Sequence, residues 1–293
     1  MTALPTYVLI TPARNEAQFI EPTIKSVLAQ TVYPLKWIIV SDGSTDGTDD
    51  IVRRYASQHD WIELLRMPDR EARDFAGKVH AIQAGQAKVA DLPYQVIACL
   101  DADIRFDSGY FAYLLGKLNS DPKLGLVGTP YMETSGEVYD YRLVSPDHVS
   151  GACQVFRREC YEAIGGYVPI KGGAIDSVAS ISARMKGWKT HTFTDMVSSN
   201  HRAMGTAERS PIQARFHLGV RDYAIGNHPV WQFFRCINQA RHKPYLLRGT
   251  ALAAGYLWAL VRRVERPVPR EMMKFYRREQ MRRLKFFFSH TAW

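Results

Sequence analysis

Asp101 and Asp103 stand one residue apart in Leu100-Asp101-Ala102-Asp103, directly after the apolar stretch Val96-Ile97-Ala98. In an extended segment residues two apart face the same side, so both carboxylates look into one place. Like charges held that close repel, and they persist most readily around a cation. An all-oxygen site suits magnesium or manganese, which bind through one or two carboxylates together with substrate phosphates. A solvated turn after a strand would use the same residues without metal, and Asp-x-Asp alone is a short pattern.

Two further polar clusters share that setting. Ser41-Asp42-Gly43-Ser44-Thr45-Asp46-Gly47-Thr48 follows Trp37-Ile38-Ile39-Val40, and Thr11-Pro12-Ala13-Arg14-Asn15-Glu16 follows Tyr7-Val8-Leu9-Ile10. Asp42 can accept hydrogen bonds from a nucleobase or ribose, while Thr45 or Asp46 can cap the next helix. No G-x-G-x-x-G and no Walker lysine motif is present, so neither dinucleotide nor P-loop chemistry is indicated.

The elements that must position these residues alternate. Strands are expected at 7–11, 37–41, 62–65 and up to Asp101, and helices over 16–30, 46–58 and 74–90. Strand–helix alternation with short connections predicts an α/β fold, a mostly parallel sheet covered by helices on both faces. Ligands of such sheets bind beyond the carboxyl ends of the strands, where all three clusters fall. After residue 105 the alternation weakens. A strand over 124–129, a short helix over 157–164, a glycine-rich loop at 165–173, a helix over 176–186 and a strand over 189–193 are expected. Beyond residue 210 the pattern is helical and basic, which places a boundary near 205: a catalytic domain over 1–205 and a helical extension over 206–293.

The quoted blocks, TPARNEAQFIEPTIKSVLAQT, WIIVSDGSTDGT, GKVHAIQAG and LDAD, resemble in order and spacing the inverting glycosyltransferases of family 2, with the Rossmann-like nucleotide-diphospho-sugar transferase (GT-A) fold. The resemblance covers roughly residues 5–200. It implies that Pro12, Arg14 and Glu16 border the nucleotide, that Asp42 recognises the base, that Lys78 sits close to the nucleotide, and that Asp101 and Ala102 line the ribose or the metal hydration shell. It implies Asp103 as a direct ligand of manganese or magnesium, and His201 as a second. An inverting transfer needs a carboxylate to take the acceptor proton. In the family this is the Asp of a Glu-Asp pair after a glycine-containing loop. Asp176 in Gly172-Gly173-Ala174-Ile175-Asp176 fits that place, with Ile175 where Glu is usual; a helix N-cap role is the competing reading. Arg202, Arg215 and Arg221 could each face a diphosphate, and the sequence does not choose among them. Gly151-Ala152-Cys153-Gln154 resembles the acceptor-side strand of the family without revealing its chemistry.

The expected activity is metal-dependent transfer of a sugar, from a UDP-sugar by preference, to a surface-glycan or lipid-linked saccharide acceptor. A nucleotidyltransferase on a similar sheet, or a non-catalytic sugar-nucleotide binding scaffold, would carry many of the same residues.

Charge and hydropathy add a location. The chain of 293 residues has a net charge of +9, and from Arg262 onward ten Lys/Arg stand against three Asp/Glu. The excess therefore belongs to the tail, and a nucleic-acid-binding core, which would carry its own basic face, is not expected. The helix expected over 270–288 places Met273, Tyr276, Leu284 and Phe288 on one stripe among cations, and Phe286-Phe287-Phe288 follow near the end. A basic amphipathic helix with aromatics predicts a peripheral contact with anionic lipid; a helix packed on the protein with a solvated basic face is the alternative. The longest apolar run, 250–261, falls short of the roughly 20 residues a span requires. No leader segment is expected at the N-terminus, and four cysteines without a Cys-x-x-Cys pair suit reduced structural thiols. The expected location is the cytoplasmic face of the cell membrane.

Overall fold

A computed structural model describes residues 3–69, 75–132, 146–170, 172–200 and 210–290. The chain divides into two compact units, Met1–Ala203 and Met204–Trp293.

The described residues of the first unit form strands β1 (Tyr7–Ala13), β2 (Lys36–Ser41), β3 (Ile62–Arg66), β4 (Val96–Leu100), β5 (Ile104–Arg105), β6 (Leu124–Gly128), β7 (Tyr131–Met132), β8 (Cys153–Arg157), β9 (Lys189–Thr192) and β10 (Ser198–Asn200). Their helices are α1 (Ile20–Leu28), α2 (Thr48–Ala56), α3 (Phe75–Val89), α4 (Tyr110–Ser120), α5 (Arg158–Ala163) and α6 (Ile175–Met185). The main sheet runs β3-β2-β1-β4-β8-β6-β9, and a small sheet runs β5-β10-β7. The expected mostly parallel α/β sheet is present: β1 pairs in parallel with β2 and β4, β2 with β3, and β6 with β9. Strand β8 alone runs backwards in the main sheet, antiparallel to β4 and β6.

Burial explains the strands. β1, β2 and β4 read almost entirely as Val, Ile, Leu, Trp, Tyr and Ala, and nearly every one of these residues is buried. Such continuous apolar strands belong in a sheet covered on both faces. Trp37 is fully buried, and its indole N–H donates to Thr11 Oγ1 at 3.0 Å, so its one polar atom is satisfied. Pro12 lacks a donor, yet it sits where β1 has outrun β4: β1–β4 pairing stops at Ile10–Cys99, whereas β1–β2 pairing continues to Ala13–Ser41. That overhang opens a cleft beyond the end of β4.

Two helix starts differ from expectation. The helix expected from residue 16 begins at Ile20, because Asn15 adopts a left-handed φ of 55° and the Glu16 N–H is taken by Thr48 Oγ1 at 2.8 Å. The helix expected from residue 46 begins at Thr48, after Gly47 at φ 90°. Asp46 serves this helix start from outside, accepting the Thr48 N–H at 3.1 Å, whereas the Thr45 N–H is spent on Asn15 Oδ1 at 2.9 Å.

The second unit contains α7 (Pro211–Ala224), α8 (Pro229–Ala240), α9 (Leu247–Val261) and α10 (Arg270–His290). Ser210 and Gln213 close a capping box on α7, and His228 Nδ1 caps α8 by accepting the Val230 N–H at 3.2 Å. Helices α7 and α9 touch backbone to backbone, because a Cβ at Gly255 would overlap the carbonyl of Phe216. A buried polar network ties α10 to α7 and α8. Gln280 Nε2 donates to Asn227 Oδ1 at 2.9 Å and its Oε1 accepts the His228 N–H at 2.8 Å; Asn227 Nδ2 donates to Gln232 Oε1 at 3.0 Å, and Gln232 Nε2 to Asp222 at 3.2 Å. Gln280 thereby turns inward with Met272 and Leu284. This corrects the expected stripe: Leu284 is buried, Met273 and Tyr276 are half-buried, and Phe288 is exposed. A buried amide outranked a larger aromatic because it satisfies two backbone-linked partners at once.

Candidate active site

The floor of the cleft beyond β4 is lined by Pro12, Lys78, Asp101, Gly151, Gln154 and Asp176, among others. Each arrives from a different element. Pro12 comes from the overhang of β1 and Lys78 from the first turns of α3. Asp101 follows β4, and its N–H donates to the carbonyl of Ala152 just before β8 at 2.9 Å. The Ala102 carbonyl accepts Thr23 Oγ1 at 2.8 Å, so the buried Ala102 pins the turn from which Asp101 and Asp103 project.

Lys78 Nζ donates to Asp101 Oδ1 at 2.5 Å. The two side chains keep 25% and 33% of their exposure, so the pair is reachable from solvent. Burial pushes the Asp101 carboxyl up to about 6; Lys78 pulls against this, and Asp103 and Asp176 add to it. Burial works against the Lys78 ammonium, yet Asp101, Asp176 and Asp103 together outweigh it, so Lys78 lies above the ordinary lysine range. Residues separated by nearly a hundred positions thus share one electrostatic field.

Asp176 lies in the first turn of α6, and the N-cap is Ala174, left-handed at φ 67° after Gly173 at φ 87°. The competing N-cap reading of Asp176 is therefore overturned. Instead, its backbone carbonyl accepts from Ser180 Oγ at 3.0 Å and Gln154 Nε2 at 3.4 Å. Ile175, which stands where Glu is usual in the family it resembles, is buried and lines the cleft. A helix N-terminus favours the ionised carboxylate.

Three neighbours of Asp176 carried no assigned chemistry in the sequence. His148 Nε2 stands 3.8 Å from Asp176 Oδ2. A Cβ on Gly151 would lie 3.2 Å from the Asp176 Cβ, so glycine leaves the carboxylate its room. Gln154, fully buried, accepts the Tyr167 hydroxyl at 2.6 Å while donating to the Val149 carbonyl at 2.9 Å. The Gly151–Gln154 motif signalled this region, whereas His148 lies in an irregular segment with no periodic signal.

Arg14, Glu16 and Asp42 form a second group, where the segment after β1 meets the segment after β2. Arg14 Nη1 lies 3.7 Å from the buried Asp42 Oδ2. Asn15 and the buried Glu16 are stitched to the Ser44–Thr48 loop by Asn15 N–H to Ser44 Oγ at 3.1 Å and Ala17 N–H to Asp46 Oδ2 at 3.0 Å. His201 and Arg202 lie outside the described residues.

A divalent cation fits the donor set. Asp101 and Asp176 line one pocket with a single lysine, Lys78, and Asp103 projects from the same turn as Asp101, so carboxylate oxygens outnumber the cation that faces them. Among the described residues no three His, Cys, Asp or Glu side chains could enclose a metal by themselves, so further oxygens, such as those of a phosphate, would complete its shell.

A mostly parallel sheet with helices on both faces, carrying a carboxylate pair beyond a central strand, defines the GT-A class of glycosyltransferase folds. Residues 8–148 match the family described as glycosyl transferase family 2. The chain is 30% identical over 125 residues to the poly-beta-1,6-N-acetyl-D-glucosamine synthase of Staphylococcus aureus (strain COL), a match covering 42% of this chain and 28% of that relative. The chain thus spans under a third of that relative's length. In fold it is similar to the mannosyltransferase PcManGT from Pyrobaculum calidifontis in complex with GDP-Man and Mn2+, with a TM-score of 0.61 and 23% identity over 89% of this chain and 76% of that one. It is also similar to S. aureus TarS 1-349 in complex with UDP-GlcNAc, with a TM-score of 0.56 and 12% identity over 92% and 78% of the two chains. Asp176 lies beyond the stretch matched by the family.

Proposed function

We propose that the chain is an inverting, metal-dependent glycosyltransferase that moves a sugar from a UDP-sugar to a surface-glycan or lipid-linked saccharide at the cytoplasmic face of the membrane. The observation that carries this reading is the convergence of Lys78, Asp101 and Asp176 on one cleft at the carboxyl ends of β1 and β4. The family 2 match supports sugar transfer, and the solved neighbours, which hold UDP-GlcNAc in one case and GDP-Man in another, support a nucleotide-diphospho-sugar donor.

Asp42 accepts hydrogen bonds from the base, with Arg14 beside it and Glu16 in the same group. Asp103 and Asp101 would hold the cation, with His201 as the further ligand the family resemblance implies; a divalent metal there would offset negative charge on the diphosphate. Lys78 adds a fixed positive charge next to the leaving group, and fixed charges aimed where charge develops lower the barrier. Asp176 accepts the proton of the acceptor hydroxyl as its oxygen bonds to the anomeric carbon from the face opposite the nucleotide. The bond from that carbon to the diphosphate oxygen breaks, its electron pair leaves with the nucleoside diphosphate, and the configuration inverts.

The test is thermal stabilisation by UDP and by GDP, each with manganese or with EDTA, on the wild type and Asp103→Asn. Binding to the native state raises its stability by mass action. A manganese-dependent rise with UDP that disappears in the variant is the expected result. A rise with GDP alone would replace the uridine assignment, and no rise with either would sink the donor site.

A further inference from the structure

Among the described residues of the C-terminal unit, a group of large apolar side chains keeps much of its exposure. Along α8, Val230, Phe233, Phe234 and Ile237 recur at helical spacing and are 43%, 61%, 37% and 39% exposed. The last turns of α10 add Phe286, Phe287 and Phe288, which are 64%, 50% and 51% exposed. The Phe288 ring meets that of Phe234 with centroids 5.2 Å apart, so the two helices build one ridge. Large apolar side chains clustered in this way on a surface mark a contact site.

The buried network around Gln280 fixes what flanks the ridge. With Met272, Gln280 and Leu284 turned inward, Arg278, Arg282 and Lys285 lie exposed on α10. Together with His228, Arg277 and Met281 they line an open depression, and Lys285 directly precedes the three phenylalanines. Arg277 is anchored from below, its Nε donating to the Gly226 carbonyl at 2.8 Å.

We propose that this ridge and its cationic flank dock on an anionic lipid bilayer. Phe233, Phe234, Phe286, Phe287 and Phe288 enter the boundary between headgroups and acyl chains, and Arg278, Arg282 and Lys285 meet the headgroup phosphates. Charge complementarity selects this occupant. A second copy would bring two cationic flanks together, whereas an anionic bilayer offers phosphate and hydrocarbon side by side at the depth the ridge requires. None of the helices among the described residues is long and apolar enough to cross a membrane, so the contact lies on one face. What inserts is the joint tip of α8 and α10; of the α10 stripe expected from sequence only Phe288 takes part, Leu284 being buried and Met273 and Tyr276 half-buried. The inference deepens the membrane-face placement proposed above and does not depend on the donor site.

The test is co-sedimentation of the full chain with vesicles of phosphatidylcholine alone and of phosphatidylcholine mixed with phosphatidylglycerol. Binding to the mixed vesicles is expected to exceed binding to neutral ones by about tenfold or more and to weaken with salt. Phe233→Ser combined with Phe287→Ser, and separately Arg282→Glu combined with Lys285→Glu, should each weaken it by about tenfold. All four positions are solvent-facing, and the UDP–manganese thermal shift of these variants should match the wild type, which separates loss of docking from misfolding. No binding to the mixed vesicles, or binding untouched by both pairs of substitutions, would overturn the proposal. So would a dimer that the phenylalanine substitutions dissolve, with no vesicle binding. Vesicle binding without any nucleotide shift would leave docking standing and remove the donor reading.

Discussion

Gly151 and Asp176 face each other so closely that a Cβ on the glycine would lie 3.2 Å from the Cβ and 3.6 Å from Oδ2 of the aspartate. Turning the carboxylate leaves the Asp176 Cβ in place, and Ser180 and Gln154 hold that residue's backbone carbonyl, so relief requires the start of α6 or the Gly151 turn to shift by a few tenths of an ångström. Gly151→Ala is therefore expected to reduce turnover by about tenfold to a hundredfold, since small misplacements of a catalytic group cost that much. Nucleotide stabilisation should remain. Nucleoside diphosphate release, measured beside the thermal shift, checks both halves.

Asp176→Asn removes the proposed proton acceptor while nearly keeping the side chain's shape. Turnover is expected to fall by about two to four orders of magnitude, with UDP–manganese stabilisation preserved. Equal turnover in variant and wild type would move the base elsewhere, and absent turnover in both would favour the scaffold reading.

The Asp101 carboxyl, pushed up to about 6, ties cation binding to pH. Below that pH the metal-free protein carries a proton that the cation must displace. Manganese affinity should thus drop as pH falls through about 6, and binding at pH values below it should release part of one proton. Titration calorimetry in buffers of different ionisation enthalpy reads this directly. The same shift has a sign for stability. Folding raises the pKa above the ordinary aspartate value of about 3.9, so between the two values the native chain holds a proton that the unfolded chain has lost. Asp101 therefore makes native stability fall as pH rises through that window. Because Lys78 opposes the rise, Lys78→Met should move the midpoint upward.

In the C-terminal unit, Gln280→Leu would strip partners from Asn227 Oδ1 and the His228 N–H. A buried group left unpaired costs about 1–3 kcal/mol, so a loss of that size per orphaned group is expected in urea denaturation. Arg278→Ala on the exposed face should lie within about 0.5 kcal/mol of wild type.

The sequence made the first half of the sheet legible because β1, β2 and β4 are continuous apolar runs punctuated by polar strand ends. Strand β8 was harder to read, since Cys153-Gln154-Val155-Phe156-Arg157 mixes polar and apolar residues, and the buried Gln154 is tolerated only through its bonds to Tyr167 and Val149. Helix α4 carried a readable stripe in Tyr110, Phe111, Leu114, Leu115 and Leu118, blurred by aromatics and Gly116, which are weak helix formers. Within the site, the residue types at 78, 101 and 176 were visible, but the lysine–aspartate contact was not, because it depends on how α3 packs across β1 and β2. His148 was invisible for the same reason, its meaning being wholly tertiary.

The reversal of β8 has a consequence for how such a chain can be rearranged. Because β8 begins where β4 ends, joined by the Asp101 N–H to Ala152 carbonyl bond, the stretch bearing the carboxylate pair and the stretch bearing Asp176 meet along a single seam. A graft that exchanges residues from 150 onward must therefore reproduce that backbone bond if Asp101 and Asp176 are to line one pocket again.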